Sequence, residues 1–150
     1  MRAPLIPILL VLAACGGGGS TANTDTAPRS SSPQAVTAFM RAAADSNMSR
    51  MAQLWGSSKG PVSQAPVANF EKRLVVLQAY LKGDSTRIIT DMPVQGDVSH
   101  RHLTVALYRG TCVKQIPFTT VRTKDGGWIV EAVDVAAAGN PARPCDGGSR

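Results

Sequence analysis

The two histidines of the chain, His100 and His102, have a spacing that could bind a metal ion. Residues two apart on a β-strand point to the same face of the sheet, as many pairs of zinc ligands do. A zinc site needs a third or a fourth ligand, and Asp97 is the only acid nearby in the sequence. A His-Arg-His run at the start of a polar strand is more often exposed to solvent. We therefore expect no metal or other cofactor, and a metal site on the two histidines is the alternative.

Cys15 follows a short apolar segment whose only charge is Arg2. Residues 4–14 are too few to span a membrane, which takes roughly 20 apolar residues, but they fit a secretory signal. The run Leu12-Ala13-Ala14-Cys15 resembles the lipobox of bacterial lipoproteins at every position. This resemblance implies that residues 1–14 are removed, that the thiol of Cys15 receives a diacylglyceryl group, and that the new amine is acylated, with palmitate as the expected chain. The alternative is an ordinary signal with an incidental cysteine.

Residues 15–32 have the composition of a flexible tether. They are mainly Gly, Ser, Thr, Asn and Ala, with too few large apolar side chains to form a core. A tether of this length reaches roughly 20–25 Å. In lipoproteins of Gram-negative bacteria an aspartate after the cysteine favours the inner membrane, and Gly16 stands there instead. By resemblance we expect a cell-envelope protein that is anchored in the outer membrane and faces the periplasm.

Cys112 and Cys145 remain if Cys15 carries a lipid. In an oxidising compartment an even number of cysteines predicts a disulfide bond. Closing a loop of about 34 residues would stabilise the fold by roughly 3–4 kcal/mol in the chain-entropy model. Two free thiols or a redox pair are the alternatives, although the chain has no C-x-x-C spacing.

Charge and length limit the partners and the number of domains. Removal of residues 1–14 leaves 15 basic and 10 acidic residues, and the basic ones are scattered along the chain. Nucleic-acid binding requires a concentrated basic footprint, so we expect no nucleic-acid partner. The expected partner is the membrane, through the lipid on Cys15. Residues 33–150 have the size of one ordinary domain.

The first half of this domain has helical periodicity. Ser32 is predicted to cap the first helix, with Pro33 at its first position. Residues 45–47 separate this helix from a short second one. Asn69 is predicted to cap a third helix, which Gly83 ends. The predicted buried positions are Val36, Phe39, Met40, Ala43, Met48, Met51, Ala52, Trp55, Phe70, Leu74, Leu77, Tyr80 and Leu81.

The second half has strand patterns. Residues 86–94, 101–108, 116–123 and 128–135 are predicted strands, and residues 124–127 form a hairpin turn between the last two. Pro93 indicates an edge strand or a bulge. Leu103, Val105 and Leu107 alternate onto one face. Helices followed by antiparallel strands predict an α+β fold with the helices packed on the sheet.

The order of these elements, the Phe, Met, Leu and Trp pattern of the helices and the closing run DGGWIVEAVDV look like the nuclear transport factor 2-like domain, also called the cystatin-like cone. The resemblance covers roughly residues 32–136. It implies a curved sheet that wraps a long helix and leaves a pocket at the open end, and it makes a homodimer through the sheet face an expectation.

Some enzymes of this fold, the polyketide cyclase and ketosteroid isomerase relatives, use an aspartate base and a tyrosine or second acid as oxyanion donor. In this sequence Asp134, with Tyr80 or Tyr108, matches those residue types. The chemistry requires a buried carboxylate and a donor aimed at the developing oxyanion. Because Asp134 alternates outward beside two valines, we expect it to be exposed.

The sequence therefore predicts a lipid-anchored, non-enzymatic module that binds a small apolar ligand or an envelope protein. The alternatives are a cyclase-like or isomerase-like enzyme and a structural subunit of an envelope assembly. An enzyme needs an acid and a donor that face each other in a cavity, whereas a ligand-binding module needs the cavity alone. A structural subunit should have a filled interior and an exposed apolar patch.

Overall fold

Three helices precede a meander of four antiparallel strands in residues 29–146, the part of the chain that the computed structural model describes. The helices are α1 (Ser32–Ala44), α2 (Met48–Leu54) and α3 (Phe70–Leu81). A small hairpin of β1 (Gly56–Ser57) and β2 (Gly60–Pro61) lies between α2 and α3. The main sheet consists of β3 (Ser85–Val94), β4 (Asp97–Arg109), β5 (Cys112–Arg122) and β6 (Trp128–Val133), and a 3-10 helix follows at Ala136–Ala138. The predicted α+β class is confirmed.

Two parts of the chain for which the sequence makes predictions lie outside the described residues. The predicted signal, Cys15 and most of the tether precede residue 29, and residues 147–150 follow the described chain. The last part of the predicted tether is nevertheless folded, because the backbone of Arg29 exchanges two hydrogen bonds with Trp128, at 3.2 and 2.7 Å. Among residues 29–146 no helix combines the length and the apolarity that crossing a membrane requires.

The first helix begins one residue earlier than predicted. Ser31, not Ser32, is the cap, and its hydroxyl accepts a hydrogen bond from the amide of Gln34 at 3.4 Å. Ser32 is already helical and buried, and its hydroxyl lies 2.7 Å from that of Thr120 on β5. Either serine can cap a helix. The contact of Ser32 with Thr120 therefore determines that Ser31 is the cap.

The other helix ends follow the sequence in part. Asn47 caps α2, and its side-chain oxygen accepts from the amide of Arg50 at 2.9 Å. Asn69 does stand at the cap of α3, but in the left-handed conformation (φ 57°) and without a side-chain hydrogen bond. Gly83 lies just beyond α3, as predicted. A Cβ at this position would come within 2.8 Å of the carbonyl oxygen of Tyr108. Its small size therefore lets the chain pass closely over β4.

The four long strands pair in sequence order, so β3 and β6 form the two edges of the sheet. Register shifts interrupt the pairing between Ile88 and Thr90 on β3, and between Thr119 and Thr120 on β5 where they face β6. Another shift follows Pro93, and β3 is an edge strand, so the predicted edge or bulge at Pro93 is confirmed. Such bulges bend and twist the strands, and the bend directs the inner face of the sheet toward the helices.

The core lies between that inner face and the three helices of the described chain. Leu103, Val105 and Leu107 are buried together, as the alternation predicted. They form one cluster with residues from all three helices and from β5, including Phe39, Met40, Met51, Leu74, Leu77, Leu81, Ile116 and Phe118. Burying each of these large side chains contributes about 1.5–3 kcal/mol. The expected dimerisation through the sheet stays a prediction.

Candidate functional site

A cleft of about 360 Å³ opens between α3 and β6. Its volume falls within the range of small-molecule sites, roughly 300–1,000 Å³. Apolar side chains from α3, from β6 and from the ends of neighbouring elements form most of its wall, namely Trp55, Val76, Leu77, Ala132, Val133 and Val135. Three charged residues, Lys72, Arg73 and Glu131, complete the lining.

The spacing of residues along α3 explains how one helix contributes both apolar and basic side chains to the cleft. Lys72 and Val76 are four residues apart and Arg73 and Leu77 are also four apart, so these pairs stack on one side of the helix. Leu77 turns toward the core and is buried, while the side chain of Val76 is 49% exposed. The neighbouring Val75 is 58% exposed and does not line the cleft.

Trp55 forms a fixed wall of the cleft. It is only 5% exposed, and its indole N–H donates to the carbonyl oxygen of Glu131 at 3.1 Å. Its backbone also forms a parallel bridge with Val130. The guanidinium carbon of Arg73 lies 4.8 Å from the centre of the ring, a cation–π contact that contributes about 0.5–1 kcal/mol at an exposed site.

The carboxylate of Glu131 is paired with His100. The Nε2 atom of His100 lies 3.1 Å from Glu131 Oε2, and its Nδ1 atom lies 2.6 Å from Asp97 Oδ2. Because ionised carboxylates only accept hydrogen bonds, both ring nitrogens donate when the ring is an imidazolium. His100 therefore links the tip of the β3–β4 hairpin to the strand that forms the cleft.

Asp97 is itself held in its ionised form. The side-chain hydroxyl and the backbone amide of Ser99 donate to Asp97 Oδ1, at 2.6 and 2.8 Å. These hydrogen bonds, together with His100, lower the pKa of Asp97 from 3.8 to about 2. The carboxylate of Asp97 is thus a fixed negative charge beside His100 at neutral pH.

The structure places the two histidines in different surroundings. His102 is exposed, and its Nδ1 atom lies 3.2 Å from the hydroxyl of Thr119, whereas His100 contacts the two carboxylates. Within residues 29–146, no three His, Cys, Asp or Glu side chains are arranged to hold a metal ion.

The residues of the isomerase-like alternative are not brought together. Asp134 is exposed and accepts a hydrogen bond from the amide of Ala137 at 3.3 Å. It lines an open groove of about 480 Å³ on the outer face of the sheet, together with His102. Neither Tyr80, on α3, nor Tyr108, on β4, lines that groove. The buried carboxylate and facing donor that the chemistry needs are not formed by these three residues.

Cys112 and Cys145 lie at disulfide distance, with their Cα atoms 5.3 Å apart. This separation is typical of a disulfide bond. Cys112 begins β5, and Cys145 lies in the C-terminal tail. The tail has a second contact, since the Lys114 ammonium donates to the carbonyl oxygen of Asp146 at 2.9 Å.

The sequence pattern alone does not indicate that the residues of the cleft form a site. Trp55 fits the helical pattern as a core residue, and Glu131 is far from His100 along the chain. The one available signal was the Val75-Val76 pair, which places an exposed apolar side chain next to Lys72 and Arg73. A scan of protein-family models and searches of curated proteins and of solved structures found no match to this chain.

Proposed function

We propose that this protein binds a small apolar ligand in the cleft between α3 and β6. The observation that carries the proposal is the cleft itself, which is mostly apolar and has the size of a ligand site. Its rigid wall is Trp55, whose only polar group is already satisfied by the carbonyl of Glu131. An apolar molecule can cover this wall and Val76 without leaving a polar group unpaired.

The domain is proposed to be a nuclear transport factor 2-like cone. Three features support this: the helices come before the meander, the sheet carries bulges that curve it, and the cleft lies between the last strand and the helix that precedes the sheet. The ligand cleft would then correspond to the pocket that this fold leaves between helix and sheet.

The protein is further proposed to be a lipoprotein that is anchored through Cys15 in the outer membrane and faces the periplasm. The lipobox and the tether composition of the sequence support this address. Replacement of the thiol, Cys15→Ser, should release the protein from the membrane fraction and abolish its labelling with radioactive palmitate. A variant that stays in the membrane fraction would contradict the anchor.

The ligand proposal is tested with N-phenyl-1-naphthylamine, a neutral dye whose fluorescence rises in apolar sites. Val76→Asn should weaken dye binding roughly fourfold, since each buried CH₂ contributes about 0.8 kcal/mol and 1.4 kcal/mol is tenfold in affinity. Val75→Asn is the matched control, because Val75 is also exposed on the same helix but lies outside the cleft.

Two results would contradict this proposal. The first is that the dye does not bind the unmodified domain. The second is that Val75→Asn and Val76→Asn weaken binding equally, because the dye would then bind to the exposed surface of α3 rather than within the cleft.

A further inference from the structure

The charges of the cleft are unevenly distributed. Lys72 and Arg73 lie on α3 one turn before Val76 and Leu77, so one end of the cleft is basic, and apart from Glu131 the rest of the lining is apolar. Side chains such as these keep their charged groups in water and pack their aliphatic stems along the apolar wall. A ligand that fills the cleft therefore meets two positive charges at one end.

Arg73 lies over the ring of Trp55 and is exposed to solvent. Its guanidinium carbon is 4.8 Å from the ring centre. Within residues 29–146 no carboxylate forms an ion pair with Arg73, so its N–H edge is available. A guanidinium presents parallel donors that match a carboxylate, and such charge-assisted pairs are roughly twice as strong as neutral hydrogen bonds.

The one acid that lines the cleft does not cancel this charge. Glu131 is already paired with His100, at 3.1 Å between Nε2 and Oε2. The charged residues that line the cleft are two basic ones, Lys72 and Arg73, against this single acid. The lining therefore presents a net positive charge to a ligand.

We propose that the ligand is a fatty-acid anion, with its chain along Trp55, Val76 and Val133 and its carboxylate beside Arg73 and Lys72. This inference rests on the proposed apolar ligand site and adds the chemical class of the ligand. The charge selects the head group, and the apolar wall supplies most of the binding energy.

The test compares three compounds with the same alkyl chain: decanoate, decanol and decyltrimethylammonium. Each is titrated against the full chain carrying Cys15→Ser, with bound N-phenyl-1-naphthylamine as the reporter. Decanoate should displace the dye at a concentration at least fivefold lower than decanol, and decyltrimethylammonium should be the weakest. The advantage of decanoate should shrink at high salt because exposed charges are screened.

Three variants locate the selectivity. Arg73→Gln should reduce the preference for decanoate over decanol, measured as the ratio of the two displacing concentrations. His100→Ala should reduce it as well, because the carboxylate of Glu131 then loses the donor that lies 3.1 Å away. Lys82→Gln is the control, since this lysine is exposed at the end of the same helix and lies outside the cleft.

The outcomes separate the two proposals. If decanoate and decanol displace the dye equally, the fatty-acid inference is wrong while the apolar site stands. If the dye binds but no decyl compound displaces it, the inference is wrong as well. If the dye does not bind, both proposals fail. If the protein forms a dimer and Val76→Asn dissociates it, a second copy of the chain occupies the cleft. That result would also overturn the inference.

Discussion

Replacing Arg109 should be among the most destabilising single changes at the surface of this domain. The side chain, at the end of β4, donates to the carbonyl oxygens of Lys82 at 2.9 Å, of Ala138 at 2.9 Å and of Tyr80. Tyr80 lies in the last turn of α3 and Lys82 caps that helix, where carbonyl groups have no intrahelical partner. Arg109 therefore joins the end of α3 and the 3-10 helix to the sheet.

The expected loss follows from these three hydrogen bonds. Hydrogen bonds to a charged group contribute about 1.5–3 kcal/mol each, but water can replace part of them at a partly exposed site, so we expect Arg109→Gln to cost about 2–4 kcal/mol. Burial lowers the pKa of Arg109, which shows that desolvation offsets some of this gain. At roughly 3–5 °C per kcal/mol for a domain of this size, Tm should fall by roughly 6–20 °C.

Urea denaturation and thermal melting followed by circular dichroism measure this loss. Arg109→Lys should lose about half as much stability, because it retains the positive charge near the helix C-terminus but cannot reach all three carbonyls. Arg87→Gln is the control at an exposed site, where substitutions usually change stability by less than about 0.5 kcal/mol. If Arg109→Gln and Arg87→Gln unfold at the same urea concentration, then the three contacts do not stabilise the fold.

Three further predictions concern stability. Cys145→Ser removes a cross-link over 33 residues and should cost roughly 3–4 kcal/mol in the chain-entropy model, under oxidising conditions only; equal midpoints for variant and parent would exclude the bond. The pKa of Asp97, lowered from 3.8 to about 2, implies stability that is present above about pH 4 and is lost as the pH falls toward 2. The stability difference between the parent protein and Asp97→Asn should therefore shrink over that interval, and a difference independent of pH would refute the assignment. Gly83→Ala should cost about 1–3 kcal/mol, because its methyl group would approach the backbone of β4; an unchanged urea midpoint would show that the backbone moves aside.

The periodic parts of the fold were predictable from the sequence, and the contacts between distant residues were not. The alternation of Leu103, Val105 and Leu107 identified both the strand and its buried face, because one side of a half-buried strand repeats every second residue. The cap of α1 was misplaced by one residue, since Ser31 and Ser32 have the same local capping chemistry. The hydroxyl of Thr120, 88 residues away along the chain, distinguishes them.

The candidate site depends even more on long-range contacts. Asp97 precedes His100 by three residues in the sequence, and the two side chains are in contact in the structure. Its second partner, Glu131, comes from β6, and the register shift opposite Thr119 and Thr120 determines which β6 side chains reach β4. Local propensity carries no information on such a shift. Trp55 shows the same limit, because a helical pattern does not distinguish the wall of a cleft from a core position.

Trp55 and Glu131 also determine how a ligand would meet the cleft. The indole N–H of Trp55 is bound by the carbonyl of Glu131, and the carboxylate of Glu131 is bound by His100. The wall and its polar contacts are therefore held by the fold itself. Binding to a wall that is already ordered avoids the entropic cost of ordering side chains, about 0.5–1.5 kcal/mol for each one immobilised. In the proposed site a mostly apolar contact surface would then give measurable affinity, and the head group would determine selectivity.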